Sequence, residues 1–454
     1  MTAIHDTDKF SMTKLFKNVD SIYQTILMAC SWLAPDEPLA IDLLKTVAKV
    51  EQEAELIQKL EYLAAMNFLE KDGKEFVIKP NVGSFIQEIA DENALNELLQ
   101  TTSRAMHAIV HPLEKNAEFQ PYANHIEKLA QHGQIHKIAV SGLLFGLLGR
   151  HKLQIGEFEE AVKFIKRALL IIEKVSGVES AEHTENMNNL GTALHRMGRF
   201  EDAKKCFEQT IIIDKKILGK KDPAVAIGHN NLGQVLIDMN SLDGAIIHLE
   251  KALEINIDQF GKEHYLVASG HYNLGLALMA IGDFPRSRAQ LELALAKRKK
   301  NFGDYHLDVA EAHHGLGMIL QTIGNAPEAV EHYREAVRIY ESENNGNLKL
   351  AASYTNLGGI LHVQGEVDQA RSYYQKALVI FEAGLPADDK NIRDLRLQLQ
   401  LIEQGMTMAD LLDKLEAREQ LPEEILKILE ESLDDDTAKI NKSLGIIELP
   451  FQNV

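Results

Sequence analysis

Five positions just ahead of a Leu-Gly or Gly-Leu-Gly step hold Asn189, Asn231, Asn273, Gly315 and Asn356, at intervals of 42, 42, 42 and 41 residues. A carboxamide donates and accepts hydrogen bonds at once, so asparagines repeated in one register form a ladder of pairing groups. Histidines recur in a second register, three residues before Leu-Gly, at His229, His271 and His313. Equivalent atoms on stacked units would lie roughly 10 Å apart, about a helix diameter. One metal ion holds imidazole at roughly 2 Å and cannot bridge that gap, so core packing is the expected role and no metal site is assigned. The chain carries no Gly-x-Ser-x-Gly, His-Glu-x-x-His, Cys-x-x-Cys or phosphate-binding loop. No catalytic residue and no cofactor is therefore expected. The chemistry on offer is binding.

The elements that must present these side chains follow from the same period. Leu190, Leu232, Leu274 and Leu316 are 42 residues apart, Leu357 follows after 41, and Leu148 stands 42 before the first. A fixed period of this length means a solenoid, in which each unit buries its apolar face against its neighbours. Seven residues after each pair comes a turn residue: Gly156, Gly198, Asn240, Gly282, Gly324 and Gly365. Gly and Asn tolerate the left-handed backbone that ends a helix. Small residues follow at Ala161, Ala203, Ala245, Ser287, Ala329 and Ala370, and again at Ala168, Thr210, Ala252, Ala294, Ala336 and Ala377. Between them sits a bulky residue: Ile165, Phe207, Leu249, Leu291, Tyr333 or Tyr374. That spacing puts all three on one helical stripe. Each unit reads as helix, turn, helix.

This pattern resembles the tetratricopeptide repeat, and the 42-residue length with its longer connections resembles the subclass found in kinesin light chains and bacterial repeat proteins. The expected fold is all-α: an α-α superhelical solenoid of about six units over 134–384. The resemblance implies that first helices line a concave groove, with the residue before Leu-Gly pointing into it. The candidate peptide-binding set is then Asn188, Asn189, Asn230, Asn231, Tyr272, Asn273, His314 and Asn356, with His195 and Gln321 one turn later. Such a ladder can pair with an extended backbone without demanding a sequence. The alternative use of the asparagines is bonding between neighbouring helices. Gly315 interrupts the ladder, and Leu147 departs from it in the first unit, which reads as a joint or cap. His264 and His306, in the connecting loops, are expected to cap the helices that follow.

Outside the repeats, residues 1–20 read as a tail and 21–90 as a small domain. Apolar spacing predicts helices near 21–33, 39–50 and 56–66, then a hairpin around Asp72-Gly73. That order resembles the winged helix preceding helical repeats in STAND-type signalling proteins, although the phosphate-binding loop of such NTPases is missing. Its third helix carries Glu51, Glu53, Glu55 and Glu61 against Lys59, which disfavours a nucleic-acid role. A regulator docking this region on nucleic acid or a transcription partner is the alternative function. Residues 91–133 form a helical connector broken by Pro112 and Pro121, and 385–433 are capping helices.

Composition supports these exclusions. The net charge is −19, from 67 acids and 48 bases, which suits a protein or peptide partner better than phosphate. Runs such as Ala168–Ile172 are too short to cross a bilayer, residues 1–16 lack a signal-peptide segment, and Cys30 and Cys206 imply no disulfide framework. No membrane partner and a cytoplasmic setting are expected. The acidic and apolar stretch 434–454 reads as a solvated tail, with intramolecular docking into the groove as its sharper alternative.

Overall fold

The computed structural model describes residues 13–428, except positions 36, 67, 112, 114, 115, 343–347, 407–409, 412, 415–420, 423 and 427. The chain divides into two compact units, Met1–Asn240 and Ser241–Val454.

The first unit opens with α1 (Ser21–Cys30), α2 (Ile41–Ala48) and α3 (Glu53–Ala65), then β1 (Leu69–Asp72) and β2 (Glu75–Ile78). Each helix sinks one stripe: Ile26, Leu27 and Cys30 from α1; Leu43, Leu44 and Val47 from α2; Leu56, Leu60 and Leu63 from α3. The strands pair from Leu69 with Ile78 to Asp72 with Glu75, so the turn is Gly73-Lys74, one residue beyond its expected centre. Gly73 supplies the positive φ, +59°, that this tight turn demands. The Leu39 amide donates to the Phe76 carbonyl at 2.8 Å and Pro38 bridges Val77, adding a third short edge. The arrangement is the winged-helix-like one. One expectation is corrected here: residues 13–18, read as tail, are helical, and Phe16 is buried in the core.

Next come α4 (Pro80–Ile89), α5 (Glu92–Val110) and α6 (Ala123–Ile135). They are no spacer. A single apolar cluster runs from Phe16 through Leu99 and Leu129 to Phe145, Phe164 and Ile172, so the N-terminal helices and the first repeat share one core. His125 ties them together: its Nδ1 accepts from the Ala34 amide at 3.1 Å and its Nε2–H donates to the Pro38 carbonyl at 2.8 Å. Burial holds this imidazole below its ordinary pKa, as the neutral tautomer requires. The repeats of this unit are α7 (Ser141–Gln154), α8 (Phe158–Val175), α9 (Ala181–Arg196), α10 (Phe200–Ile217) and α11 (Pro223–Asp238).

The second unit holds α12 (Leu242–Phe260), α13 (Tyr265–Ala280), α14 (Phe284–Phe302), α15 (Leu307–Thr322), α16 (Ala326–Ser342), α17 (Leu348–Val363), α18 (Val367–Gly384) and α19 (Lys390–Glu403). Turn chemistry is as anticipated: Gly282, Gly324 and Gly365 have φ of +81°, +82° and +84°, and Asn240 closes α11 at +55°. His264 and His306 accept from the amides of Leu266 and Asp308, capping α13 and α15. Helix α19 covers the last repeat by burying Ile392 and Leu395 in one cluster with Tyr374 and Phe381. The further helices expected near 408–415 and 423–433 fall partly outside the described residues; among those described, Leu411, Leu421 and Ile425 gather on Leu397 and Leu401. The stretch 434–454, with its docking alternative, lies wholly outside them.

Within each unit, helix pairs approach closely because the glycine of the Leu-Gly has no side chain. A Cβ on Gly317 would meet the Tyr333 ring at 2.7 Å, and one on Gly191 would meet Phe207 at 2.8 Å. Gly317→Ala is therefore expected to destabilise the second unit by about 1–3 kcal/mol through overpacking. Asn240→Gly, which keeps a permitted backbone, should stay within about 0.5 kcal/mol. Thermal melts of the two variants check this, and equal shifts would contradict the packing account.

Candidate functional site

In the first unit, α9 and α11 lie side by side and bring four predicted residues together. Asn188, Asn189, Asn230 and Asn231 are all half-buried. Asn231 Nδ2 donates to Asn188 Oδ1 at 2.9 Å, joining neighbouring first helices. One turn on, His195 Nε2 lies 2.5 Å from Asp238 Oδ2. The Asn188 oxygen is thus taken by a neighbouring helix, the second of the uses weighed from sequence, while its amide protons are not. Asn189 lines a cavity of about 290 Å³ with His107, His111, Arg150 and Glu185. Sequence reading missed His107 and Arg150, because they belong to α5 and to the end of α7, outside the ladder register. Burial, with the charges of His111 and Arg150, holds His107 below its ordinary pKa.

The second unit treats its predicted residues differently. Tyr272 lays its ring beneath the Arg298 guanidinium, 4.3 Å from the ring centroid. Burial, with Glu311 nearby, pushes its phenol up to about 12. A Cβ on Gly315 would meet this ring at 3.2 Å and Leu291 at 3.3 Å. The gap in the ladder has a steric counterpart: the Tyr272 ring and Leu291 would have to give by a few tenths of an ångström before any side chain fitted there. Asn273 is half-buried on the same helix.

His314 on α15 lies 2.8 Å from Ser353 Oγ on α17. The serine hydroxyl donates to the Lys349 carbonyl, so the His314 Nδ1–H donates to the serine. Burial holds this histidine at about 4. Gln321 and Asn356 are joined through Tyr333, whose hydroxyl donates to Gln321 Oε1 at 3.0 Å and also bonds Asn356. The histidines of the other register are buried, as expected: His229 is 2% exposed, and His313 pairs with His332 at 2.9 Å.

Beyond the predicted set, the face continues onto α19. Asp389 caps α19 as His306 caps α15, and ten residues after each cap stand Leu399 and Leu316. Gln398 thus occupies the ladder register, 42 residues after Asn356. The period itself was the signal, hidden because no Leu-Gly follows. Gln398 lines a cavity of about 250 Å³ with Gln321, Asn356, Tyr374 and Asp394.

Among the described residues no group of three His, Cys, Asp or Glu is placed to hold a metal ion, and no helix is long and apolar enough to cross a membrane. Cys30 and Cys206 are both free and buried.

Two outcomes follow for this face. Gly315→Asn should lower the melting temperature instead of extending the ladder, and Tyr272→Ala in the same chain should recover part of the loss; a neutral Gly315→Asn would refute the steric account. His314 is neutral in the fold down to about pH 4 but takes up a proton near 6.5 when unfolded, so its protonation favours the unfolded chain as pH falls through that window. Stability should decline from pH 6.5 to 4, and His314→Gln should flatten that slope in melts across the range.

The chain's sequence matches the tetratricopeptide repeat family at residues 141–211, 182–258 and 266–342, and again at 350–389. No curated protein sequence shows a significant match. Among solved structures, a Signal Transduction ATPase with Numerous Domains (STAND) protein with a tetratricopeptide repeat sensor, from Pyrococcus horikoshii, is 14% identical. It aligns over 97% of this chain and 68% of that one with a TM-score of 0.53, a likeness of fold. BtubC (BKLC) from P. vanneervenii is 22% identical over 50% of this chain and 91% of its own, with a TM-score of 0.43. A Podosopora anserina protein named for kinesin light chain and nearly identical TPR-like repeats is 22% identical over 44% and 94%, with a TM-score of 0.39. The matched segments together span slightly more than half of the 454 residues, and the chain belongs to the tetratricopeptide repeat family.

Proposed function

We propose that this chain is a non-enzymatic interaction module that holds an extended segment of a protein partner along its first-helix face, in a reducing, cytoplasmic setting. The observation that carries the reading is the half-buried asparagine register, Asn189 and Asn231 in one unit and Asn273 and Asn356 in the other, with Asn188 beside it. Half-burial suits this use. A fully buried carboxamide would be consumed by the protein, and a fully exposed one would be satisfied by water. At Asn188 part of the pairing capacity is used to set the side chain's direction, through Asn231, and the amide protons serve a ligand backbone in this reading. Ordering a rotamer before binding reduces the entropy lost on association. The phenol of Tyr333 plays the same positioning role for Gln321 and Asn356.

Charge supports a polypeptide partner over nucleic acid. The helix of the winged-helix-like region that would enter a major groove exposes Glu53, Glu55 and Glu61, and its Lys59 is engaged by Glu55 at 3.2 Å. Such a surface repels phosphate.

Capture of partners by the full-length chain, followed by peptide arrays of whatever is captured, tests the reading. Asn231→Ala and Asn273→Ala should each weaken the selected peptide by about three- to tenfold, one or two neutral hydrogen bonds' worth. Unchanged affinity in both variants would overturn it.

A further inference from the structure

The cavity against α19 differs from its counterpart one repeat earlier in a way that points to a ligand. In the earlier repeat the tyrosine hydroxyl is occupied: Tyr333 donates to Gln321 and bonds Asn356, closing the site from within. The equivalent tyrosine of the last repeat is Tyr374. Its phenol has no hydrogen-bond partner among the described residues, and Gly359, lacking a side chain, lies beside the hydroxyl without covering it: a Cβ there would stand 3.7 Å away. Gln398, in the ladder register, likewise makes no hydrogen bond to a described residue. Across from them stands Asp394, half-buried, with no ion pair or hydrogen bond among the described residues. Lys390 and Arg393 act on this carboxylate through their charge, yet neither forms an ion pair with it.

A half-buried carboxylate with no partner among the described residues keeps its acceptor capacity for a charged donor. The cavity therefore offers one anionic acceptor, the carboxamide oxygens of Gln398 and Gln321, and a phenol, in about 250 Å³. That volume suits the end of a long side chain. The donor it fits carries a positive charge and several N–H groups.

We propose that this cavity receives the guanidinium or ammonium group of an arginine or lysine side chain from the bound polypeptide, with Asp394 as its counter-ion and Gln398, Gln321 and the Tyr374 phenol as its hydrogen-bond partners. The inference rests on the proposed interaction role only in assigning the cation to a polypeptide. The cavity can be tested without that partner.

The test uses the full chain with isotope-labelled glutamine and asparagine side-chain amides, titrated with N-acetyl-arginine N-methylamide and with N-acetyl-lysine N-methylamide. Saturable shifts are expected at Gln321, Asn356 and Gln398. Asp394→Asn, which preserves shape, should weaken binding by about tenfold, the worth of one charged hydrogen bond. Tyr374→Phe should weaken it by about threefold, and the charge-matched control Asp243→Asn should leave it unchanged. Three results would overturn the proposal: no saturable shift with either cation, equal affinity in Asp394→Asn, or equal binding of N-acetyl-glutamate N-methylamide. None of these depends on Asn231 or Asn273, so failure of the cavity and failure of the asparagine face are told apart.

Discussion

Within each unit, the close approach of a first helix to its second is the constraint from which the rest follows. Where Gly191 meets Phe207, Gly275 meets Leu291, Gly317 meets Tyr333 and Gly358 meets Tyr374, a single added Cβ would fall within 3 Å of the opposing ring or side chain. Such contacts let the bulky residue of the second helix pass under the backbone of the first. The buried side of the first helix is thereby decided. Because side chains three and four apart share a helix face, its other side is decided too. The residue before each Leu-Gly stands two positions, about 200°, around the helix from the glycine and ends half-buried on the far side. The asparagine register is a by-product of glycine packing.

The same constraint explains why the ladder is not uniform. Once a second-helix residue reaches the first-helix backbone, its polar end can extend to the far side, as the Tyr333 hydroxyl does in bonding Gln321 and Asn356. Where Leu291 occupies that place it has no such end, and the Tyr272 ring lies over Gly315 in the space beside it. Tyr272 is in turn held by Arg298, a buried guanidinium that donates to the Asp308 carbonyl at 2.6 Å. Variation at the bulky position therefore sets how much of each repeat's hydrogen-bonding capacity is spent internally. The last repeat, with Tyr374 facing α19 in place of another repeat, is where that capacity stays open.

At the other end the logic is apolar. The winged-helix-like elements do not hang from the repeats by a linker; their core runs without interruption from Phe16 to Ile172. His125, bonded through both ring nitrogens to Ala34 and Pro38, adds a directional tie. Leu147, which breaks the asparagine register in α7, is buried in that same cluster, so the ladder begins only where the shared core ends.

The repeat, its helix–turn–helix unit, the left-handed turn residues and the histidine caps were all legible in the chain, because each depends on local backbone chemistry or on a period within one helix pair. The winged-helix-like order was legible for the same reason, apart from the helical residues 13–18, whose burial depends on partners far along the chain. What the asparagines bond to was not legible. The pairing of Asn188 with Asn231, the room taken by the Tyr272 ring at Gly315, and the meeting of Asp394 with Tyr374 in one cavity are set by distances between residues 20 to 43 positions apart in sequence. Periodicity states which face a residue occupies. Only packing states which atoms it meets there, since that rests on the volumes of every side chain between them.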